Sequence, residues 1–373
     1  MTRPTDDELM AEALACARAG RAATPPWPQV GCVIVRDGVI VGRGATGFRP
    51  TGDHAEVAAL RAAGDDARGA TAYTTLEPCN HSGNTPPCTE ALIDAGITKV
   101  VTAVVDPDAK VAGTGVERLR AAGIEVEIGP GAAAVEEYLG AYLHQRRTGR
   151  AFAFLKTAMS LDGRTAAADG TSQWITSEES RHDVHRLRAE SHAIIVGPAT
   201  AIADRPSLTA RDVELGPWGQ PRRVLIDAKG RVPVTGPLAD AMLAPTTVYV
   251  TDRMPIETQT EWKAAGADVR VVGRGPDGNG VDLEAVLVGL ATEYHVFQAL
   301  IEGGGKLHGA FIREGRADRL VTYVAPLILG ERGRAVLAHE GPDTLADASR
   351  WRITDVTPIG ADVRITYDPV GRV

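Results

Sequence analysis

The amino-acid sequence predicts an α/β protein made of two domains. Its 373 residues exceed the size at which one hydrophobic core usually stops growing. Apolar strand-like runs alternate with helical patterns along the chain, which is typical of sheets covered by helices. The basic segment 145–150 separates two such series, and strand character restarts at Phe152. We therefore predict domains at residues 1–147 and 150–373. The segment between them is expected to be a solvated linker, although its arginines could also form a phosphate patch.

The first domain is predicted to begin with a helix over residues 5–20, because Thr5 and Glu8 have the spacing of a capping box. A hairpin follows at residues 30–41 and turns at Asp37-Gly38. Helices and strands then alternate, with helices at 54–63, 89–95, 115–122 and 132–145 and strands at 72–76, 99–105 and 124–128.

The second domain continues the alternation without repeating the sequence of the first. Its predicted strands cover residues 152–158, 193–196, 223–226, 247–251, 268–272, 298–302, 320–324 and 363–367. Its clearest helices cover residues 178–190, 283–290 and 306–313. This pattern favours an α/β nucleotide-binding domain.

Three metal-ligand side chains and one further carboxylate occur close together in the first domain. His54 is followed by Glu56 two residues later, and eight residues separate Cys79 from Cys88. A His nitrogen and two thiolates fill three tetrahedral positions on Zn²⁺ and leave the fourth for a water of lowered pKa. Glu56 would pass protons from this water to the substrate and to departing ammonia, as in zinc-dependent deaminases. A closed structural site with His81 as fourth ligand is the alternative, but such a site has no use for Glu56.

Composition restricts the substrate and the location of the protein. The formal net charge of −8 offers no general attraction for nucleic acid, so a small-molecule substrate is expected. No run of about eighteen apolar residues occurs, and the N-terminal residues lack a signal pattern. The four cysteines do not suggest a disulfide framework. We therefore expect a cytoplasmic protein that binds neither membranes nor nucleic acid.

A second site is suggested by glycines 303–305 and Lys306, which stand between an apolar strand and a helix. Such a turn lets backbone N–H groups approach phosphate at a helix N-terminus, although it can equally be ordinary turn chemistry. Polar clusters at 156–164, 172–176 and 203–209 are expected near strand ends, where open α/β sheets bind ligands.

Ordered motifs in both halves carry a resemblance to a known family. They include His54-Ala55-Glu56-Val57, Thr75-Leu76-Glu77-Pro78-Cys79, Thr85-Pro86-Pro87-Cys88, Ser160-Leu161-Asp162-Gly163-Arg164 and Gln173-Trp174-Ile175-Thr176. From about residue 6 to residue 367, the chain resembles the bifunctional deaminase/reductase of riboflavin biosynthesis. The resemblance implies a cytidine-deaminase-like N-terminal domain followed by a dihydrofolate-reductase-like C-terminal domain.

The resemblance also implies two reactions. With Zn²⁺, the first domain would remove the 2-amino group of 2,5-diamino-6-(5-phosphoribosylamino)pyrimidin-4(3H)-one. With NADPH, the second domain would reduce the ribosyl side chain of the product to ribityl. The partner of the protein is then a phosphorylated aminopyrimidine.

Individual residues match the functional positions of this family. His54, Cys79 and Cys88 match the zinc ligands, and Glu56 matches the catalytic proton shuttle. The substrate positions of the reductase correspond to Ser172, Arg188, Leu208, Arg211 and Glu302. Its cofactor positions correspond to Met159, Trp174, Thr200, Asp204, Gly304, Gly305, Lys306, Leu307, His308, Gly309 and Ala310. The guanidinium groups of Arg188 and Arg211 suit a sugar phosphate, and the glycine turn suits a pyrophosphate.

The chain departs from the family pattern at several positions. Trp27 replaces a substrate-facing Asn, and Asn84 replaces a Lys or Arg that is expected to meet the substrate phosphate. Pro198 stands where glycine is common, and Arg205 replaces an acidic residue. Two alternatives therefore stay open: a zinc deaminase of a related amino-heterocycle in a specialised pathway, and an enzyme whose second domain is modified or only binds a ligand.

The family further implies a homo-oligomer, either a dimer or a tetramer. The apolar strand 320–324 is a candidate for pairing between copies. NADPH is implied rather than NADH, and Arg253 and Arg274 are candidate contacts for the phosphate on its adenine ribose. Exposed loop arginines with no such role are the other interpretation.

Overall fold

The computed structural model describes residues 4–20, 25–47, 52–82, 86–338 and 341–371. The chain divides into two compact units, Met1–Gly149 (unit 1) and Arg150–Val373 (unit 2). Within these described ranges, no helix has the length and apolar character needed to cross a membrane.

Unit 1 alternates strands and helices as its sequence predicts. Its described strands are β1 (Gly31–Arg36), β2 (Val39–Ala45), β3 (Thr71–Leu76), β4 (Lys99–Val104) and β5 (Glu125–Ile128). Its described α-helices are α1 (Asp6–Gly20), α2 (Ala55–Ala63), α3 (Cys88–Asp94), α4 (Thr114–Ala121), α5 (Ala132–Tyr138) and α6 (Gly140–Thr148). The capping box is present, because the Thr5 backbone N–H donates to the Glu8 carboxylate at 2.8 Å. The helix predicted at 132–145 is instead two helices, α5 and α6, on either side of Leu139.

The strands described in unit 1 form one sheet in the order β2-β1-β3-β4-β5. β1 pairs antiparallel with β2 and with β3, whereas β3, β4 and β5 run parallel. The β1–β2 hairpin turns at Asp37 and Gly38, whose φ angles of 52° and 82° are those of a type I′ turn. The predicted hairpin is therefore confirmed.

Helices cover both faces of the β1–β2 hairpin, and glycines allow their close approach. A side chain at Gly31 would collide with the Ala13 backbone of α1, and one at Gly44 would collide with the Ala55 backbone of α2. Gly44 pairs with Cys32, which is the neighbour of Gly31 along β1, so the two helices lie on opposite faces of the sheet. This packing fixes the start of α2, where the metal-ligand motif lies.

Unit 2 contains all eight predicted strands and all three predicted helices. Its described strands are β6 (Phe152–Ser160), β7 (Arg164–Ala166), β8 (Ala193–Val196), β9 (Arg222–Ile226), β10 (Thr246–Val250), β11 (Asp268–Val271), β12 (Gln298–Ile301), β13 (Arg319–Ala325), β14 (Arg334–Ala335), β15 (Trp351–Ile359) and β16 (Asp362–Pro369). Its described α-helices are α7 (Glu178–Glu190), α8 (Pro198–Asp204), α9 (Ile256–Ala264), α10 (Leu283–Glu293) and α11 (Gly305–Arg313). The sequence analysis did not predict β7, β14, β15, α8 or α9.

The main sheet described in unit 2 has nine strands in the order β11-β10-β9-β8-β12-β6-β13-β16-β15. The strands from β11 to β13 run parallel, and the β15–β16 hairpin continues the sheet antiparallel. Both faces of the parallel part are buried. Ile195 lies in one core with Leu287 of α10, and Ile194 lies in the other with Leu187 of α7 and Trp262 of α9.

The segment 145–150 contains the boundary between the two units, but it is exposed only at residues 147–149, so the prediction of a solvated linker is confirmed only in part. Helix α6 continues to Thr148, and Arg146 makes an ion pair with Asp108 at 2.9 Å. Arg150 is 8% exposed, and its two terminal nitrogens bind the Asp318 carboxylate at 2.8 and 2.6 Å. A run of basic residues indicates solvent exposure only when no acidic side chains lie close to it in the folded protein. Here the partners lie far away in the sequence but close in space.

The prediction that strand 320–324 pairs between copies is also wrong. β13 lies between β6 and β16, so both of its backbone edges are occupied within the sheet. The edge strand on this side is β15, where Ile353 and Val356 are 56% and 55% exposed.

Candidate active sites

Unit 1 brings His54, Cys79 and Cys88 together from the ends of three elements. His54 precedes α2, Cys79 follows β3, and Cys88 begins α3. Their ligand atoms all lie within 4.8 Å of one another. Cys79 Sγ is 3.4 Å from Cys88 Sγ and 3.7 Å from His54 Nδ1. Tetrahedral Zn²⁺ with ordinary bond lengths separates such ligand atoms by about 3.5–3.8 Å, so this donor set fits the metal.

The number of donors favours an open metal site over a closed structural one. In the part of the chain that the structure describes, these three residues are the only cluster of three or more His, Cys, Asp or Glu side chains placed to hold a metal. His81 lies in the wall of the adjacent cavity but is not part of this cluster. A site with three protein ligands leaves one position for another ligand.

The two cysteines of the site differ in acidity. The hydrogen bond with the Cys88 thiol and then the contact with His54 together lower the pKa of the Cys79 thiol to about 4, against the effect of burial. The same thiol pair raises the pKa of Cys88, and burial adds to this rise. Cys79 therefore already favours the thiolate that a metal requires, whereas Cys88 must lose a proton when a metal binds.

Glu56 lies beside the donor set in the first turn of α2 and is 4% exposed. Burial raises the pKa of its carboxyl group, and a hydrogen bond with the Cys88 thiol opposes this rise only in part. A carboxyl group with a raised pKa next to a metal site is suited to accept protons and return them.

A cavity of about 540 Å³ opens next to these four residues. This volume suits a small ligand. Trp27 lies in its wall, so one of the departures from the family pattern lies at the site itself. Lys110 and Arg146 also line the cavity, together with Asp108. Asn84, the other departure in this domain, lies outside the described residues.

Glu77 and Asp106 shape the cavity wall, a role that the sequence analysis missed. The buried Glu77 carboxylate accepts hydrogen bonds from the backbone N–H groups of Asp106, Gly113 and Val116 at 3.2, 3.0 and 3.0 Å. The Tyr142 hydroxyl lies 2.9 Å from both carboxylate oxygens of Asp106, and burial raises the pKa of Asp106 to about 6. Glu77 belongs to the quoted motif, but its partners lie 29 to 39 positions away.

Unit 2 pairs Arg188 with Glu302 at the carboxyl end of β12. The Nε and Nη2 groups of Arg188 donate to the two carboxylate oxygens of Glu302 at 2.6 and 2.8 Å. Nη1 donates to the Thr209 carbonyl at 3.1 Å. Burial would raise the pKa of Glu302, but Arg188 outweighs this effect and holds the pKa at about 2. Because Arg188 is committed to these partners, Arg211 is the better placed guanidinium for a sugar phosphate.

Lys156 of β6 joins this charged group. Its Nζ lies 5.8 Å from the centre of the Tyr323 ring. Burial lowers the pKa of Lys156, while the charge of Glu302 opposes the decrease. A lysine whose pKa is lowered can give up its proton more readily than an exposed lysine. The sequence analysis placed Lys156 only within a polar cluster.

Leu208 and Arg211 lie in the loop 205–212 that follows α8. Leu208 is buried, and its backbone φ angle is 51°, a value that residues other than glycine rarely adopt. Arg211 Nη1 lies 2.9 Å from the Ser207 hydroxyl and 3.3 Å from the Thr209 hydroxyl. The loop therefore gathers two hydroxyl groups around one guanidinium.

The glycine turn joins β12 to α11 and contacts α8. The Gly304 N–H donates to the Thr200 hydroxyl at 2.9 Å. A side chain at Gly303 would collide with the backbone at the β8–α8 junction, and one at Gly305 would collide with the backbone of residues 336–338. This close approach of backbone segments at a helix start fits the pyrophosphate of a dinucleotide.

The other predicted cofactor positions have different surroundings. His308 is 4% exposed, and its Nε2 lies 3.1 Å from the Ile301 carbonyl, so its ring has a partner inside the protein. Trp174 is 67% exposed, and the Arg181 guanidinium lies 4.5 Å above its ring. The remaining cofactor positions are Met159 on β6, Asp204 at the end of α8, and Lys306, Leu307, Gly309 and Ala310 on α11, whereas the predicted substrate position Ser172 follows β7.

Two of the departures from the family pattern lie at the ends of α8. Pro198 is its first residue, where the fixed φ of proline suits a helix start. Arg205 follows its last residue with a φ of 40°. The candidate cofactor contact Arg274 is bound to Asp252 at 2.8 and 2.6 Å.

Known protein families match both parts of the chain. Residues 3–104 match the cytidine and deoxycytidylate deaminase zinc-binding region, and residues 151–365 match the RibD C-terminal domain. The riboflavin biosynthesis protein RibD of Escherichia coli (strain K12) is 41% identical over 96% of this chain and 98% of its own length. RibD of Mycobacterium tuberculosis is 41% identical over 96% of both chains.

Two solved structures match nearly the whole length of this chain. RibD of Acinetobacter baumannii matches with a TM-score of 0.87 and 39% identity, over 98% of this chain and 99% of its own. A diaminohydroxyphosphoribosylaminopyrimidine deaminase/5-amino-6-(5-phosphoribosylamino)uracil reductase of Thermotoga maritima matches with a TM-score of 0.81 and 29% identity, over 98% of both chains. The predicted deaminase-like and reductase folds are confirmed, and the predicted cofactors Zn²⁺ and NADPH agree with them. The chain belongs to the RibD family of bifunctional riboflavin biosynthesis enzymes.

Proposed function

We propose that the chain catalyses two consecutive steps on one phosphorylated aminopyrimidine. Residues 1–147 would hydrolyse the 2-amino group of 2,5-diamino-6-(5-phosphoribosylamino)pyrimidin-4(3H)-one. Residues 150–373 would reduce the ribosyl side chain of the resulting uracil to ribityl. The observation that carries the proposal is the cluster of three metal donors beside a cavity that His54, Cys79 and Glu56 line.

In the first step, water adds to C2 of the pyrimidine ring and the amino group leaves as ammonia. Zn²⁺ held by His54, Cys79 and Cys88 would supply Lewis acidity and lower the pKa of the attacking water. Glu56 would accept one proton of the water and deliver it to the ring nitrogen, and it would then carry the second proton of the water to the leaving amine. The buried position and raised pKa of Glu56 support this role, because the group must be protonated and deprotonated in each cycle.

The wall of the cavity would position the ring. Glu77 holds the loop that carries Asp106, and Asp106 is fixed in turn by Tyr142. Trp27 offers an aromatic face where the family pattern has an amide. This substitution supports a second candidate function, in which the zinc chemistry is the same but the substrate is a related amino-heterocycle.

In the second step, a hydride is added to C1′ of the ribosyl group, the bond from C1′ to the ring oxygen opens, and that oxygen gains a proton. NADPH supplies the hydride when it is bound. Glu302 is held ionised by Arg188 and carries no proton to give, and an arginine does not give one up. Lys156, with its lowered pKa beside Glu302, is the group that we assign as proton donor.

The glycine turn, Thr200 and Asp204 would hold the cofactor. Gly303 and Gly305 allow the backbone of the turn to lie close to its neighbours, which suits the approach of a pyrophosphate to the start of α11. We assign Arg211, Ser172 and Leu208 to the substrate, with Arg188 orienting Glu302.

We also propose a homo-oligomer that acts in the cytoplasm. The edge strand β15 is exposed along most of its length and presents Ile353 and Val356 to solvent. An exposed edge strand with apolar side chains is a ready surface for pairing with a second copy.

The function is tested by incubating the zinc-loaded protein with the diaminopyrimidinone ribosyl phosphate and NADPH, and following products by mass spectrometry. We expect the deaminated product first and the ribityl product second. An unchanged substrate, with a folded protein and bound zinc, would contradict the proposal. Turnover of a different aminopyrimidine or purine-derived ring in the same assay would support the second candidate.

A further inference from the structure

His185, to which no role has been assigned so far, contacts Arg211 in the loop 205–212. His185 is on α7, three positions before Arg188. Its Nδ1 lies 3.2 Å from the Arg211 backbone nitrogen, and its Nε2 lies 3.3 Å from Arg211 Nη2. The Ser207 and Thr209 hydroxyls are 3.1 Å apart and contact the same guanidinium.

Both nitrogens of this ring lie close to nitrogens of Arg211, and the Thr209 backbone carbonyl also faces the ring. A neutral imidazole has one N–H and one acceptor nitrogen. If Nδ1 accepts from the Arg211 backbone N–H, then Nε2 carries the proton and faces the guanidinium N–H across 3.3 Å. Two donors so close together are suited to one oxyanion that accepts from both.

We propose that His185 completes an oxyanion site with Arg211, Ser207 and Thr209, and that it takes up a proton when the phosphate monoester of the reductase substrate binds there. This inference rests on the proposed function, since it names the phosphate-binding group of the same site. It also separates the tasks of the two arginines. Arg211 faces the anion, while Arg188 holds Glu302.

The charges around His185 explain why proton uptake would depend on the ligand. Two cations, Arg188 and Arg211, face the ring, and Glu302 and the Thr209 backbone carbonyl oppose them. Burial first, and then these two cations, lower the pKa of His185 to about 4, so the ring is neutral near pH 7. A phosphate dianion reverses the sign of the nearest charge and therefore stabilises the imidazolium form.

The test measures how many protons the protein takes up when it binds a phosphate monoester. Ribose 5-phosphate is titrated into the full-length protein in a calorimeter, in two buffers of different ionisation enthalpy. The titrations are made at about pH 6 and pH 7, because the second pKa of a phosphate monoester is near 6. The same titrations with His185→Gln provide the comparison, since glutamine can form hydrogen bonds but does not titrate here. The ligand's own titration is then the same for both proteins.

We expect wild type to take up more protons on binding than His185→Gln at both pH values. The variant should also bind about ten- to a hundredfold more weakly, as is typical for loss of a charge-assisted contact. His182→Gln, an exposed histidine on the same helix, is the matched control and should behave like wild type. Equal proton uptake by wild type and His185→Gln would overturn the inference, even if the variant bound more weakly.

Reductase turnover of the deaminated substrate with NADPH separates this inference from the proposed function. Turnover by wild type without His185-dependent proton uptake overturns the inference alone. Proton uptake on binding ribose 5-phosphate without turnover supports the oxyanion site and overturns the reductase substrate that we assign.

Discussion

Replacing Arg188 with methionine should destabilise unit 2 strongly and reverse the pH dependence that Glu302 contributes. The two side chains are 14% and 9% exposed, so the substitution leaves a carboxylate buried without its partner. The pKa of Glu302 is about 2 instead of 4.5, and a shift of this size corresponds to about 3 kcal/mol of stability at neutral pH. Measured losses for one partner of a buried ion pair are about 3–5 kcal/mol, so the two values agree.

The sign of the pH dependence separates this effect from simple loss of packing. In wild type the folded pKa of Glu302 is lowered, so its contribution is complete above about pH 4.5 and is lost as pH falls towards 2. Without the guanidinium, we expect burial, the largest influence on Glu302, to raise its pKa against the weaker opposing charges of Lys156 and His185. The folded variant then binds more protons than the unfolded chain, and its stability decreases as pH rises through the raised value.

The assay is urea unfolding at pH 5 and pH 8, followed by tryptophan fluorescence. Trp174, Trp218, Trp262 and Trp351 all belong to unit 2, so the signal reports mainly on that unit. The double variant Arg188→Met/Glu302→Gln is the control and should recover part of the loss, because no charge is left buried. A loss of less than about 1 kcal/mol at pH 8, or a variant more stable at pH 8 than at pH 5 relative to wild type, would refute the reasoning.

Four further predictions concern the metal site and assembly. Glu56→Gln should still bind zinc, measured by mass spectrometry of the metal, but deaminate at least about a hundredfold more slowly, and near-normal deamination would remove Glu56 from the chemistry. Zinc affinity, measured against a competing chelator, should increase from pH 6 to pH 8 because Cys88 must lose its proton. Cys88→Ser should weaken zinc binding and reduce this pH dependence, and an affinity equal to that of wild type would exclude Cys88 as a ligand. Ile353→Asp/Val356→Asp should shift the protein to a smaller mass in light scattering, whereas Val370→Asp, which is 59% exposed outside β15, should not.

The sequence predicted most helices and strands because they depend on local patterns, and the structure brings the three predicted metal donors together. The start of α1 follows from the capping box of Thr5 and Glu8, and the first hairpin follows from the Asp37-Gly38 turn. The spacing around Glu56 indicated zinc chemistry before any coordinates, because the ligand types themselves restrict the metal.

Other features could not be predicted because they depend on partners far away in the sequence. Arg150 binds Asp318, which lies 168 positions later in the sequence. For this reason the segment 145–150, which looks like a solvated linker in the sequence, is partly buried. Arg188 likewise binds Glu302, which lies 114 positions later in the sequence. β15 was missed because its exposed residues lack a clear alternation of apolar and polar side chains. The position of β13 between β6 and β16 could not be predicted because these three strands lie far apart in the sequence.

The most direct test of two chemistries at two sites uses two single variants on separate substrates. We expect Glu56→Gln to leave the diaminopyrimidinone unchanged but to reduce the deaminated intermediate with NADPH when it is supplied. We expect Lys156→Met to accumulate that deaminated intermediate without forming the ribityl product. If Glu56→Gln lost both activities while folded, or if Lys156→Met formed the ribityl product at the wild-type rate, the assignment of separate sites would be contradicted.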